Sequence, residues 1–298
     1  MLDYASMSAV AVVVREGSFD RAARALNVTP SAISQRVKQL EERVGGVLIV
    51  RGQPCTATEM GRLICRHVEQ VGMLEHELRG ALPRLAPAAG TDERVTIRVA
   101  VNADSMNTWF IQAMASFMET DRALLDVAID DQEHTQEWLR TGDVLAAVTS
   151  DPQPVQGCES IPLGKLKYCA VASPRFIARF FPDGVTATAL AAAPSLRFDR
   201  KDQLQARWVR SVCRRDVDIP SHWMASTQAF TDASVAGIAW GMNPLAMVAS
   251  HLRDGTLAEL VPGKQLTVPL FWQHTRLQMP VLARLTKAVI TASRAELK

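Results

Sequence analysis

The sequence predicts an α/β protein of two Rossmann-like subdomains, preceded by an α-rich winged helix-turn-helix and a long linker helix. Three observations predict it. Residues 1–55 read as short helical segments with few strand signals, and residues 56–85 carry one long amphipathic pattern. Beyond Ala86-Pro87-Ala88-Ala89-Gly90-Thr91, a small-residue hinge, short β-rich runs alternate with helical runs to the end. The 298 residues suffice for two or three domains. With 48% hydrophobic and 21% charged residues, wholesale disorder is excluded. Aromatic residues are only 6%, so the cores should lean on Ala, Val and Leu. Lys and Arg number 33 against 31 Asp and Glu, so any nucleic-acid surface must be local.

In the front module, Ser18 is placed to cap a helix over 19–26, where Ala22 and Ala23 let another helix cross closely. Asn27-Val28 makes a tight turn. Thr29-Pro30 then opens a second helix, with a hydroxyl N-cap and a proline whose missing N–H costs nothing there. Ile33, Val37, Leu40 and Val44 form its apolar stripe, and Gly45-Gly46 stops it. Ser31, Ser34, Gln35 and Lys38 fall on another face, flanked by Arg36. Serine and glutamine reach base edges in a major groove, while Arg and Lys neutralise phosphates. A solvated helix face is the plainer reading. The preceding short helix and tight turn favour the DNA reading. So does Val47-Leu48-Ile49-Val50-Arg51, a possible β-wing holding Arg51 against the backbone. Residues 1–66 carry nine basic and six acidic side chains, a modest positive excess.

Thr56-Ala57-Thr58-Glu59 fits a capping box for the long helix. Met60, Ile64, His67, Val71, Leu74, Leu78, Ala81 and Leu85 then recur at steps of four and three, a heptad seam. Such a stripe packs on a partner helix or on the protein's own domains. Met60, Ile64, Val71, Leu74 and Leu78 are the candidate dimer contacts.

In the back half, strands are expected over 95–101, 124–129 and 144–149, with a helix over 106–119 between the first two. A second unit runs over 163–268, with strands at 166–172, 195–198, 223–225 and 238–242. Residues 268–274 and a terminal helix from 279 return to the first. Loops that follow such strands share one sheet edge, where ligands bind. Ser105, ahead of its helix, and Thr227, opening another, are suited to a carboxylate. Asp104, Asp130, Asp131, Glu133 and Asp199 are suited to ammonium groups, so a cationic amino acid fits both. Asn102 and Thr149, at strand ends, complete the candidate ligand residues.

Other classes find little support. No G-x-S-x-G, H-E-x-x-H, P-loop or G-x-G-x-x-G pattern occurs, so an enzyme is not expected. Six histidines and five scattered cysteines lack metal-ligand or CxxC spacing, and no cofactor is expected. No signal peptide or roughly 20-residue apolar span is apparent, which predicts a soluble, cytoplasmic protein without a membrane partner.

The stretch Gly17-Ser18-Phe19, Ala22-Ala23, Leu26, Val28-Thr29, Ser31-Ala32-Ile33-Ser34-Gln35, Lys38-Gln39-Leu40-Glu41, Leu48, Arg51 and Thr58-Glu59-Met60-Gly61 resembles the winged helix-turn-helix of LysR-type transcriptional regulators. The resemblance implies that Ser31, Ser34, Gln35, Arg36, Lys38 and Arg51 contact double-stranded DNA. The pattern departs at Pro30, where many relatives carry a base-reading glutamine, and its wing turn Gly52-Gln53-Pro54 is uncharged. Further on, Val101-Asn102-Ala103-Asp104-Ser105, Thr135-Gln136-Glu137-Trp138-Leu139-Arg140-Thr141-Gly142-Asp143-Val144, Phe198-Asp199, Gln228-Ala229-Phe230 and Phe271-Trp272-Gln273-His274 resemble the LysG/ArgP subgroup.

That resemblance implies a periplasmic-binding-protein-like effector domain sensing lysine or arginine, and control of a basic-amino-acid exporter promoter. It also implies a homodimer or dimer of dimers on an interrupted palindromic operator, with RNA polymerase as a further partner. The expected divisions are 1–58 for DNA binding, 59–90 for the linker and dimerisation helix and hinge, and 91–298 for the effector domain. Within the last, subdomain I is about 91–162 and 269–298, and subdomain II about 163–268. An architectural or replication-origin DNA-binding role without inducer is the alternative; an enzyme on the same fold ranks below it.

Overall fold

The computed structural model describes residues 2–82, 95–130 and 135–297, and the chain divides into two compact units. The expected hinge, Leu85, Asp131 and Glu133 lie outside the described residues.

In the first unit, α1 (Tyr4–Glu16), α2 (Phe19–Ala25) and α3 (Pro30–Val44) precede a two-stranded wing, β1 (Ile49–Val50) and β2 (Thr56–Ala57), and the helix α4 (Glu59–Ala81). Ala22 and Ala23 are fully covered in a core with Val10, Val13, Ile33, Val37 and Leu48. That core is aliphatic, as the composition predicts. Asn27 takes a left-handed conformation, φ 52°, to turn α2 into α3. Thr29 caps α3 by accepting from the Ala32 N–H at 3.2 Å, and Gly45 ends it at φ 74°.

Three local expectations need correction. Ser18 stands at the N-cap of α2, but its side chain makes no cap bond. Val44, the last residue of α3, is 40% exposed and not part of the buried stripe. The cap of α4 is Thr58, not Thr56: Thr56 is paired with Val50 in the wing, and the Thr58 hydroxyl accepts from the Gly61 N–H at 3.0 Å. Gly61 itself is required by packing. A Cβ there would lie 2.0 Å from the Leu48 carbonyl oxygen, so helix and wing approach backbone to backbone.

The second unit contains β3 (Thr96–Asn102), α5 (Ala103–Ser105), a π-helical stretch Met106–Phe110, α6 (Ile111–Met118), β4 (Leu124–Asp130), α7 (Thr135–Thr141) and β5 (Ala146–Thr149). Next come β6 (Cys158–Ala172), α8 (Pro174–Phe180), α9 (Ala187–Ala192), β7 (Ser195–Arg197), α10 (Leu204–Cys213), β8 (Ser221–Trp223) and α11 (Thr227–Val235). The chain closes with β9 (Gly241–Pro244), α12 (Leu245–Asp254), β10 (Ala258–Glu259), β11 (Gln265–Thr275) and α13 (Pro280–Glu296).

One mixed sheet runs β10-β6-β11-β5-β3-β4, with β9 also on β6; β7 and β8 form a separate parallel pair. The long strands β6 and β11 pair antiparallel from Gln265↔Cys169 to Thr275↔Cys158. The expected limits at 162/163 and 268/269 therefore fall inside strands, not in loops. Gly164, at φ 127°, lies where the Leu297 carbonyl comes within 2.3 Å of a would-be Cβ, so α13's end presses on β6 there.

Aromatic scarcity misleads in this unit. Trp109, Trp208, Trp240 and Trp272 are fully buried, so the few large rings are concentrated in its cores. The Trp272 indole donates to Thr286 Oγ1 at 3.0 Å, and that of Trp208 to the Lys264 carbonyl at 2.9 Å. No helix among the described residues is long and apolar enough to cross a membrane.

Candidate functional site

On α3, burial of Ile33, Val37 and Leu40 turns the opposite face outward. Ser31, Gln35 and Lys38 are exposed, and Ser34 and Arg36 are half-buried beside them. The Ser31 hydroxyl shares a 2.9 Å hydrogen bond with Thr29, and the Lys38 ammonium lies 3.8 Å from Glu42, a loose surface pair. Arg51 is exposed with its guanidinium 5.1 Å from the centre of the Phe19 ring, which steadies it at the wing base. The wing is tied to the α1–α2 turn by the Cys55 N–H, which donates to the Gly17 carbonyl at 2.9 Å.

Along α4 the apolar seam divides. Ile64 is half-buried and packs with Cys65 and Val68 on the unit's own core. His67 is stacked on Tyr4 at 5.9 Å and hydrogen bonded to its hydroxyl. Val71 is half-buried, whereas Met60, Leu74 and Leu78 remain 41–56% exposed.

In the second unit a cavity opens to solvent between the ends of several strands and helices. Its polar lining is Asn102, Asp104, Asp202, Gln205 and Thr227; Phe198, Leu204, Phe230, Met242 and Pro244 are among its apolar walls. Four helix starts meet here: Asn102 caps α5, Leu204 opens α10, Thr227 opens α11, and Pro244 precedes α12. Their dipoles favour an anion, although the Asp202 carboxylate already takes the Leu204 N–H and the Ser226 hydroxyl that of Ala229. Asp104 supplies a carboxylate among them. Its Oδ2 accepts from the Tyr168 hydroxyl at 2.5 Å and its Oδ1 from Thr227 Oγ1 at 2.8 Å. Asp104 thus joins the β3 side of the cavity to β6 and α11.

Of the expected ligand residues, Asn102, Asp104 and Thr227 come together in this cavity. Ser105 does not line it. The helix begins three residues earlier than expected, so Ser105 is inside the first turn, fully buried with its hydroxyl unpartnered. Thr149 is also fully buried and off the lining, accepting from the Asp151 N–H at 3.2 Å. Asp199 folds its own loop, accepting from the N–H groups of Lys201 and Asp202. Asp130 ends β4, and Asp131 lies outside the described residues.

Asp202 and Gln205 were missed. Asp202 accepts from the Phe198 and Leu204 N–H groups, both at 3.0 Å, and shapes the loop entering α10. Gln205 had a sequence signal: it shares the buried stripe of α10 with Trp208 and Val209, an unusual place for an amide.

Among the described residues the buried thiols are not activated as nucleophiles. Burial pushes the Cys65 and Cys169 thiols up to about 12 and raises that of Cys158. No metal-holding cluster of His, Cys, Asp or Glu occurs among the described residues.

Comparison with known proteins agrees with this geometry. Residues 5–62 match the bacterial regulatory helix-turn-helix protein family of lysR type, and residues 90–294 match the LysR substrate binding domain. The HTH-type transcriptional regulator LysG of Mycobacterium tuberculosis is 46% identical over 98% of this chain and 94% of its own length. The crystal structure of ArgP from Mycobacterium tuberculosis superposes with a TM-score of 0.80 at 44% identity, covering 98% of both chains. Full-length LysG from Corynebacterium glutamicum, solved with bound effector Arg, gives 0.71 at 34% identity over 99% of both. The chain belongs to the LysR family of DNA-binding transcriptional regulators, which are not enzymes.

Proposed function

We propose that this regulator senses a basic amino acid, lysine or arginine, in the cavity bearing Asp104 and answers by altering its hold on a promoter. The observation that carries this reading is the meeting of helix amino termini with the Asp104 carboxylate at one cavity. Helix termini suit an α-carboxylate, Asp104 suits an ammonium group, and Phe198, Phe230, Leu204 and Met242 suit an aliphatic stem. The arginine bound in the Corynebacterium glutamicum relative supports the same class. Asn102 and Thr227 complete the effector contacts.

DNA is read by Ser31, Ser34, Gln35 and Arg36 on α3, with Lys38 and Arg51 on phosphates. A homodimer forms through the outer seam of α4, using Met60, Val71, Leu74 and Leu78, so that two reading helices address an interrupted palindrome. The regulated promoter is that of a basic-amino-acid exporter, activated through RNA polymerase by dimers that associate in pairs. The effector must bind one arrangement better than the other to switch anything. Asp104 is suited to that task because it is already hydrogen bonded to Tyr168 on β6 and Thr227 on α11. Calorimetry of the purified protein with each of the twenty amino acids tests the reading. Heat and saturation with lysine or arginine alone are expected; silence with both overturns the ligand assignment.

A further inference from the structure

Among the described residues of the second unit, two glutamines are completely buried, and they are treated in opposite ways. Gln273 donates through Nε2 to the carbonyls of Asp151 and Gln153 at 3.0 and 2.8 Å, and its Oε1 accepts from the Val155 N–H at 3.1 Å. It is a bracket for a loop. Gln205 is equally inaccessible, yet neither its Oε1 nor its Nε2 has a partner, and it lines the cavity. Leaving a donor and an acceptor bare in a protein interior costs as much as two lost hydrogen bonds. Packing alone is better served at that position by methionine or leucine. Nor is the residue placed by accident of a loose loop, since Asp202 anchors the entry to α10 through two backbone N–H groups.

The chemistry of an amide narrows what satisfies it. Oε1 needs a donor and Nε2 an acceptor, close together. The side-chain end of lysine or arginine offers donors only and leaves Nε2 bare. An α-ammonium and an α-carboxylate on one carbon offer both.

We propose that Gln205 grips the zwitterionic head group of the effector amino acid, Oε1 accepting from the ammonium and Nε2 donating to the carboxylate. This rests on the effector reading given above and adds a division of labour to it. Gln205 sets affinity for the head group common to α-amino acids, while the choice of a basic side chain is made elsewhere in the cavity.

Calorimetry on Gln205→Met tests this, using lysine, arginine and agmatine, which is arginine without its carboxylate. Lysine and arginine are expected to weaken alike, by about tenfold to a hundredfold. The unliganded variant should melt no lower than the wild type, because an unsatisfied amide has gone. Wild-type protein should prefer arginine to agmatine, and Gln205→Met should lose most of that preference. If Gln205→Met does not fold, Gln205→Glu sets a carboxylate against the ligand's own and should weaken both amino acids at least as much. Unchanged affinity in either folded variant, loss confined to one amino acid, or equal wild-type binding of agmatine and arginine each overturns the role of Gln205 alone. Absence of any amino-acid binding to the wild type overturns the effector reading, and this role with it.

Discussion

On α3, Ser31, Gln35 and Lys38 stand in solvent within about two turns of one helix. The cavity instead gathers residues such as Asp104 and Thr227, 123 positions apart, with Thr227 and Gln205 almost wholly covered. A surface that reads DNA must stay hydrated and mobile until a duplex arrives, so its side chains are left with weak or no internal partners. A pocket for a small charged molecule must replace that molecule's water shell. It therefore fixes some polar groups in advance, as Tyr168 and Thr227 fix Asp104, and leaves the Gln205 amide to the ligand. The two regions therefore respond differently to substitution. Single changes on α3 should be mild and graded, whereas single changes in the cavity should be severe and confined to ligand response.

The largest effect is expected from Asp104→Ala. It strips the partner from the Tyr168 and Thr227 hydroxyls and removes the cavity carboxylate. Calorimetry should show roughly a hundredfold or greater loss of lysine and arginine binding, with DNA affinity in gel shifts unchanged. If DNA binding falls equally, the contrast between the regions fails. Next comes Leu74→Glu with Leu78→Glu on the exposed seam of α4, which should shift sedimentation from dimer to monomer. A dimer that persists would place the partner contact elsewhere.

Smaller effects are expected on the reading helix. Gln35→Ala should cost about 1–3 kcal/mol of discrimination between cognate and random DNA. Arg51→Ala should weaken both alike and reduce the salt slope by about one. Identical behaviour of the two variants would contradict their division into base and phosphate contacts. The smallest effect is an expected absence. With Cys65 and Cys169 thiols held up to about 12 and Cys158 also raised, little thiolate exists at neutral pH. Mass spectrometry after mild peroxide should find these three unmodified, with amino-acid binding intact.

The same contrast explains what the sequence could disclose. The reading helix was legible because its signals are local: Thr29-Pro30 opens it, Gly45 closes it, and Ile33, Val37 and Leu40 mark its inner face. The alternation of strands and helices beyond residue 95 was legible for the same reason. Where distant pieces meet, local signals failed. Thr56 resembles a cap until β2 claims it for the wing, and Ile64 fits a coiled seam yet also packs on the unit's own core. In the cavity, the strand-end rule found Asn102 and Asp104 but also suggested Ser105 and Thr149, which the backbone buries. The rule had no means of finding Tyr168, which reaches Asp104 from the middle of β6. Nor did periodicity show that β6 and β11 run as one long antiparallel pair.

The central claim is that a basic amino acid held at Asp104 changes how the paired α3 helices sit on DNA. Footprinting on an operator selected from genomic fragments tests it most directly, with wild type and Asp104→Ala each read with and without arginine or lysine. The account predicts that amino acid alters the length of the wild-type footprint and leaves that of Asp104→Ala unchanged. A wild-type footprint identical in both conditions, from protein that calorimetry shows to be saturated, would contradict it.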